Sequence, residues 1–110
     1  VGVKQILFHP EAYEIIKNFT KELRRELGEA LYHLQQGKLL SMPLSKPMSS
    51  IASGVSELRF KDENGIYRVF YAVKYEDAVW VIHAFAKKTQ KTPRREIELG
   101  QKRFKEFVRR

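Results

Sequence analysis

The period of the apolar residues changes once along this chain, and that change limits the folds open to it. Between residues 10 and 36, Ala12, Ile15, Ile16, Phe19, Leu23, Leu27, Ala30, Leu31 and Leu34 recur at spacings of three and four, the signature of one apolar helical face. From Val55 to Ala86 the pattern becomes short strand-like runs separated by turn signals at Asp62–Gly65 and Glu76–Asp77, which predicts a three-stranded antiparallel meander. Alternation in the first run sets Ser56, Leu58 and Phe60 against Glu57, Arg59 and Lys61, so one face of the sheet is expected to be apolar and the other charged. Helices must cover the apolar face, which makes the class α+β.

The flanking segments complete the outline. The apolar run Lys4 to Phe8 ends at His9-Pro10; proline is tolerated at the start of a helix because its missing N–H has no partner there anyway, so a strand leading into a helix is expected. The helical region breaks near Asn18 to Thr20, where the Thr20 hydroxyl can cap a second helix, and Gly37 suits the left-handed residue that ends one. Residues 38–54 contain Pro43, Pro47, Gly54 and five serines, an ordered or semi-ordered loop. Pro93 opens a final helix whose apolar positions, Ile97, Leu99, Phe104, Phe107 and Val108, are sparse. The 110 residues fit one domain, 1–110: an N-terminal strand and two helices on a twisted antiparallel sheet, then a C-terminal helix.

Composition removes several chemistries. The chain has no cysteine, hence no disulfide framework, thiolate nucleophile or cysteine-ligated metal centre. His9, His33 and His83 fall in three separate elements, without the close spacing of a zinc site. No glycine-rich phosphate loop or Gly-x-Ser-x-Gly elbow occurs, and neither metal nor organic cofactor is implied. No apolar run approaches the roughly 20 residues of a membrane helix, and the opening residues do not have a signal-peptide layout; a cytoplasmic protein is expected.

What the chain does have is positive charge. The formal net charge is +8, and the segment Lys87–Arg110 holds ten Lys or Arg against three Glu. A field this concentrated attracts phosphates in a salt-dependent way, although a solvated basic helix or a contact with an acidic protein accounts for the charge equally well. If the first two meander strands pair across the Asp62–Gly65 turn, Arg59 and Arg68 converge on one face. The third strand then delivers Lys87 and Lys88 at the edge of the same sheet, with Thr89 and Gln90 beyond as hydrogen-bond donors. Each of these residues also has a plain reading: Arg59 and Arg68 as surface partners of Glu57 and Asp62, His83 as a semi-buried, hydrogen-bonded side chain, and Tyr71 as a core aromatic.

The runs Gly54-Val-Ser-Glu-Leu-Arg59, Tyr67-Arg-Val-Phe-Tyr71, His83-Ala-Phe-Ala-Lys-Lys-Thr-Gln-Lys-Thr-Pro93 and Arg95-Glu-Ile-Glu-Leu99, with Met42-Pro-Leu-Ser-Lys-Pro-Met48 in the long loop, resemble the phage-derived HigB-like branch of the RelE/ParE toxin superfamily over nearly the whole chain. The resemblance implies a toxin of a type II toxin–antitoxin pair: a metal-independent, ribosome-dependent mRNA endoribonuclease, inhibited by a helix-turn-helix antitoxin. It implies attack of a ribose 2′-hydroxyl on the adjacent phosphate, with Arg68 on the scissile phosphate and Lys87 and Lys88 as the basic pair closing the third strand. Arg59 and Glu57 occupy charged positions that are usually basic in relatives, which leaves Glu57 as a base or as the neutraliser of Arg59. Lys91, Gln90, Arg94 and Arg95 are the expected RNA or ribosome contacts, and Tyr71 and His83, the latter set by strand alternation with Val81 and Phe85, are the candidates for stacking on a base, since the last helix offers neither tyrosine nor histidine. The superfamily also contains gyrase-poisoning members, and a noncatalytic RNA- or antitoxin-binding module is a third reading.

Overall fold

The computed structural model describes residues 3–73, 78–88 and 91–109. Strand β1 (Gln5–Phe8) leads into helix α1 (Pro10–Lys17), then α2 (Lys21–Gln35), β2 (Ser45–Pro47), β3 (Val55–Asp62), β4 (Gly65–Ala72), β5 (Ala78–Lys87) and α3 (Arg94–Val108). The local chemistry explains the boundaries. The His9 ring accepts the Glu11 amide through Nδ1 at 3.2 Å to start α1, and Thr20 Oγ1 accepts the Leu23 amide at 3.2 Å to start α2. Gly37, at φ +83°, ends α2: its amide donates to Leu34 and the next, Lys38, to His33, both at 3.0 Å, the doubly bonded termination that a left-handed residue permits.

The five strands form one sheet in the order β1-β5-β4-β3-β2. The meander is antiparallel as its turn signals predict, but the sheet is mixed, because β1 pairs parallel with β5, Gln5 opposite Ala78 through Phe8 opposite Val81. The loop expected over residues 38–54 contributes the antiparallel edge strand β2. In the β3–β4 turn, Asp62 Oδ1 accepts the amides of Asn64 and Gly65 at 2.8 and 3.1 Å. That fixes the register and sets Arg59 directly opposite Arg68. The turn expected at Glu76–Asp77 lies outside the described residues.

Helices α1 and α2 bury Ala12, Ile16, Leu23, Leu27, Leu31 and Leu34 against Leu58, Phe60, Val69, Tyr71, Val79 and Val81. The opposite face was expected to be charged and is mostly a second core, in which Phe70, Trp80, Ile82 and Phe85 pack with Phe107 of α3 and with Met48 and Ile51 of the long loop. β4 and β5 are central strands with covered faces, so their apolar runs are nearly continuous rather than alternating. Among the described residues, charge on this face lies at its end near the start of α3 and at Arg103 beside His83. In α3 the inward positions are Gly100, Arg103 and Phe107, while Val108, expected in the packing face, is exposed. No helix among the described residues is long and apolar enough to cross a membrane.

α3 lies so close to the sheet that a Cβ on Gly100 would come within 2.8 Å of the Phe70 ring. Phe70 is fully buried and has no room to yield. Gly100→Ala is therefore expected to destabilise the protein by roughly 1–3 kcal/mol, read from the urea midpoint at unchanged slope.

Candidate functional site: a cationic cluster around a buried carboxylate

Beyond the second core, strands β3, β4 and β5 bring Arg59, Arg68 and Lys87 to one end of the sheet. The register that pairs Arg59 with Arg68 also places Phe85 across from Arg68 and Lys87 across from Ile66. Like charges directly opposite each other in neighbouring strands repel, and Glu57, two residues before Arg59, supplies the compensating anion. Its carboxylate is only 2% exposed, with Oε1 3.4 Å from Arg68 Nε and 3.8 Å from Arg59 Nε. Its other oxygen accepts a 2.7 Å hydrogen bond from the Thr92 hydroxyl, and Lys87 Nζ donates to that same hydroxyl at 3.5 Å. Of the two roles left open for Glu57, this geometry provides the neutralising one directly, for Arg68 as well as Arg59.

Burial penalises the charged forms here. It lowers the proton affinity of Arg68, partly opposed by Glu57 and reinforced by Arg59. It also lowers that of the Lys87 ammonium, with the neighbouring Arg68 charge acting in the same sense. The cluster opens on two clefts that share Arg59. One, of about 350 Å³, lies between the Lys46–Ser50 segment and Lys91–Thr92; the other, of about 270 Å³, is bounded by Pro43, Lys61 and Arg68. Cations, hydroxyls and a partly desolvated floor suit this end of the sheet to a phosphate group.

The remaining candidates are dispersed. Lys88 does not join the cluster, because its ammonium donates to the Asn64 carbonyl at 2.6 Å, across the β3–β4 turn. Lys91 lines the larger cleft. Arg94 is exposed and pairs with Glu98 one helical turn on, while Arg95 lines a separate cleft on the far side of β5. Gln90, like Thr89, lies outside the described residues. Tyr71 is 5% exposed, sits in the α1–α2 core and bonds Ser45 through its hydroxyl at 2.7 Å, so its ring has no face to offer a base. Thr92 and Lys46 were not singled out by sequence; Thr92 gave only the cue of preceding a helix-opening proline.

His83 occupies a different environment. A β-bulge pairs Phe70 with His83 but Tyr71 with Val81, adding one residue to β5 and reversing its alternation. His83 therefore shares a face with Phe85, as expected, but not with Val81, which lies in the opposite core. The ring is 3% exposed. Arg103 Nη1 donates to Nδ1, so Nε2 carries the proton and donates to Glu96 at 2.7 Å. Burial lowers the proton affinity of the ring; the Glu96 hydrogen bond opposes this and the Arg103 charge adds to it. With the folded-state pKa below the ordinary 6.5, the native state binds fewer protons than the unfolded chain, so the stability His83 contributes is complete above about pH 6.5 and is lost as pH falls through the lowered value.

This chain thus forms a small α+β protein with a cationic site at the open end of a mixed sheet. The model of the family described as phage-derived Gp49-like proteins matches residues 14–105, and the chain belongs to that family, which is of the RelE/ParE toxin type. A solved structure of the E. coli toxin RelE, an arginine-to-alanine double mutant in the free state, is similar at 18% identity over 97% of this chain and 96% of that one, with a TM-score of 0.49. No curated protein matches the sequence.

Two measurements test the site's electrostatics. Glu57→Gln removes the anion that the cations share and is expected to destabilise the protein by about 3 kcal/mol in urea unfolding. Added inorganic phosphate should recover more of the loss in the variant than it adds to wild type, because an anion that binds the folded state takes over the carboxylate's role. For His83, the urea midpoint of wild type should fall as pH drops below about 6.5, and His83→Gln should show a smaller fall over the same range.

Proposed function

We propose that this protein is the toxin of a type II toxin–antitoxin pair and that it inhibits translation by cutting mRNA on the ribosome, without a metal ion. The observation that carries the reading is the convergence of Arg59, Arg68 and Lys87 around Glu57 and Thr92 at one end of the sheet. Membership of a RelE/ParE-type toxin family supports the biological setting. The likeness of its motifs to the HigB-like branch supports the choice of RNA, a cytoplasmic site of action and a helix-turn-helix antitoxin as partner.

In this reading the ribose 2′-hydroxyl loses its proton to solvent water as its oxygen attacks the adjacent phosphorus, the P–O5′ bond breaks, and the products end in a 2′,3′-cyclic phosphate and a 5′-hydroxyl. The Arg68 guanidinium, fixed by Glu57, meets the charge that develops on the phosphorane oxygens. Arg59 shares that charge from the neighbouring strand. Preorganised cations in a poorly solvated site stabilise such a transition state without having to reorient. Lys87, whose ammonium releases its proton more readily than a solvated lysine, is suited to protonate the departing 5′-oxygen. Glu57 holds the two guanidiniums in place. Lys46 and Lys91 along the larger cleft guide the flanking backbone, and Lys88, Arg94 and the basic α3 add long-range attraction to ribosomal RNA.

The test is primer extension on a defined message during induced expression, with translated and untranslated versions compared. Wild type should create new 5′ ends only within the translated message. Arg68→Ala should reduce them by roughly 10²–10³-fold while its circular dichroism and antitoxin binding stay unchanged. Cleavage at the wild-type rate in Arg68→Ala removes the role assigned to Arg68. Growth arrest without new ends, accompanied by loss of DNA supercoiling, replaces the ribonuclease with a gyrase inhibitor; neither effect leaves a binding module.

A further inference from the structure

The segment that joins α2 to β2 places its apolar side chains in two different environments. Leu40 and Leu44 pack against the α1–α2 core, and the Arg59 amide donates to the Leu44 carbonyl at 2.8 Å just before Ser45 pairs with Leu58. Met42, between the two leucines, is turned outward and is 56% exposed. Its sulfur accepts a hydrogen bond from Arg59 Nη1 at 3.6 Å. Pro43, also exposed, lines the smaller cleft beside Arg59 and Arg68. The chain's other methionine, Met48, is buried in the second core.

A lone exposed apolar side chain is ordinary on a protein surface. Met42 differs in that it rests on a cation of the site. A thioether is a weak acceptor, so it orients the guanidinium at little cost to the guanidinium's capacity for a charged one. Single-stranded nucleic acid is held by such a pair of features, cations along the backbone and a face on which a base lies. The rings of Tyr71 and His83, buried in the two cores, offer no such face. A thioether can supply one, being flexible and polarisable and packing favourably against aromatic rings.

We propose that Met42 and Pro43 form the platform for one nucleobase of the RNA whose phosphate lies on Arg59 and Arg68. The inference rests on the reading of this site as RNA-binding and adds to it the position of a base next to that phosphate. Arg59 joins the two halves of the contact, because its guanidinium belongs to the cationic cluster and carries the thioether beside it. Neither platform side chain has a donor for a base edge. The platform therefore selects by ring area rather than by hydrogen bonds, and a purine covers it best.

The probe is a diadenosine dinucleotide whose first ribose lacks the 2′-hydroxyl, so that it cannot be cut. Inorganic phosphate is the comparison, and the methionine methyls of the full-length protein are labelled for NMR. The Met42 methyl should move upfield as the base covers it while the Met48 methyl stays in place, and an abasic residue at one of the two positions should remove the shift. Met42→Ala should weaken dinucleotide binding about two- to tenfold and leave phosphate binding unchanged. Met42→Leu, which keeps the apolar contact, should recover most of the loss, and Leu39→Ala, at a fully exposed site of the same segment, should cause none. An unmoved Met42 methyl with the dinucleotide bound, or equal losses for dinucleotide and phosphate in Met42→Ala, would overturn the platform while leaving the cationic site in place. If neither ligand perturbs the Arg59 side-chain resonance at millimolar concentration, the RNA reading of the site falls together with the platform.

Discussion

Arg59 and Arg68 face each other in adjacent strands, and the burial of an anion between them is what allows that end of the sheet to exist. Taking an ion out of water costs several kcal/mol even after the protein relaxes, so neither guanidinium is held there by packing alone. Glu57 offsets both charges, and the Thr92 hydroxyl fills the carboxylate's remaining capacity. The cost of assembling these charges is met during folding. A phosphate arriving at the cluster finds donors that are already oriented, which is the condition under which fixed charges act most strongly on a reacting group.

The rest of the architecture serves to present this cluster at an open end. α3 covers the same face of the sheet but begins only at Arg94, and the residue that feeds it, Thr92, reaches Glu57. The start of the helix and the geometry of the site are thus coupled through two residues. The long loop is coupled to both: Met48 and Ile51 are buried in the second core, and the Ser50 carbonyl accepts from Gln101 of α3 at 2.7 Å. Lys46 and Ser49, which border the larger cleft, are carried on a segment anchored at both ends by apolar side chains.

Much of this was legible in the residues because it depends on local rules. The helical repeat before Gly37, the Thr20 cap and the Asp62–Gly65 turn each specify their element, and the turn alone was enough to set Arg59 against Arg68. What was not legible depends on contacts between distant segments. The parallel pairing of β1 with β5 has no local signal, and neither does a second helical layer over a face whose first strand reads Glu57, Arg59, Lys61. The bulge in β5 is a shift of one residue inside an apolar run, where neighbouring side chains look alike on either face, so the alternation that grouped His83 with Val81 carried no warning. Tyr71 failed as a base-stacking residue for a related reason: an aromatic ring on a strand looks the same in sequence whether it covers a core or faces solvent.

The parallel β1–β5 pair also has a bearing on how the chain comes together in time. Synthesis proceeds from the N-terminus, and Gln5–Phe8 is completed long before Ala78–Val81, the segment it must join. Closing so long a loop carries an entropic cost before any of its contacts form. The meander, by contrast, is built from consecutive strands and contains Glu57, Arg59, Arg68 and Lys87. The charged end of the sheet is therefore encoded in neighbouring stretches of the chain, whereas the first strand, with Ile6, Leu7 and Phe8, stays an apolar segment without its sheet partner until Ala78–Val81 has been made.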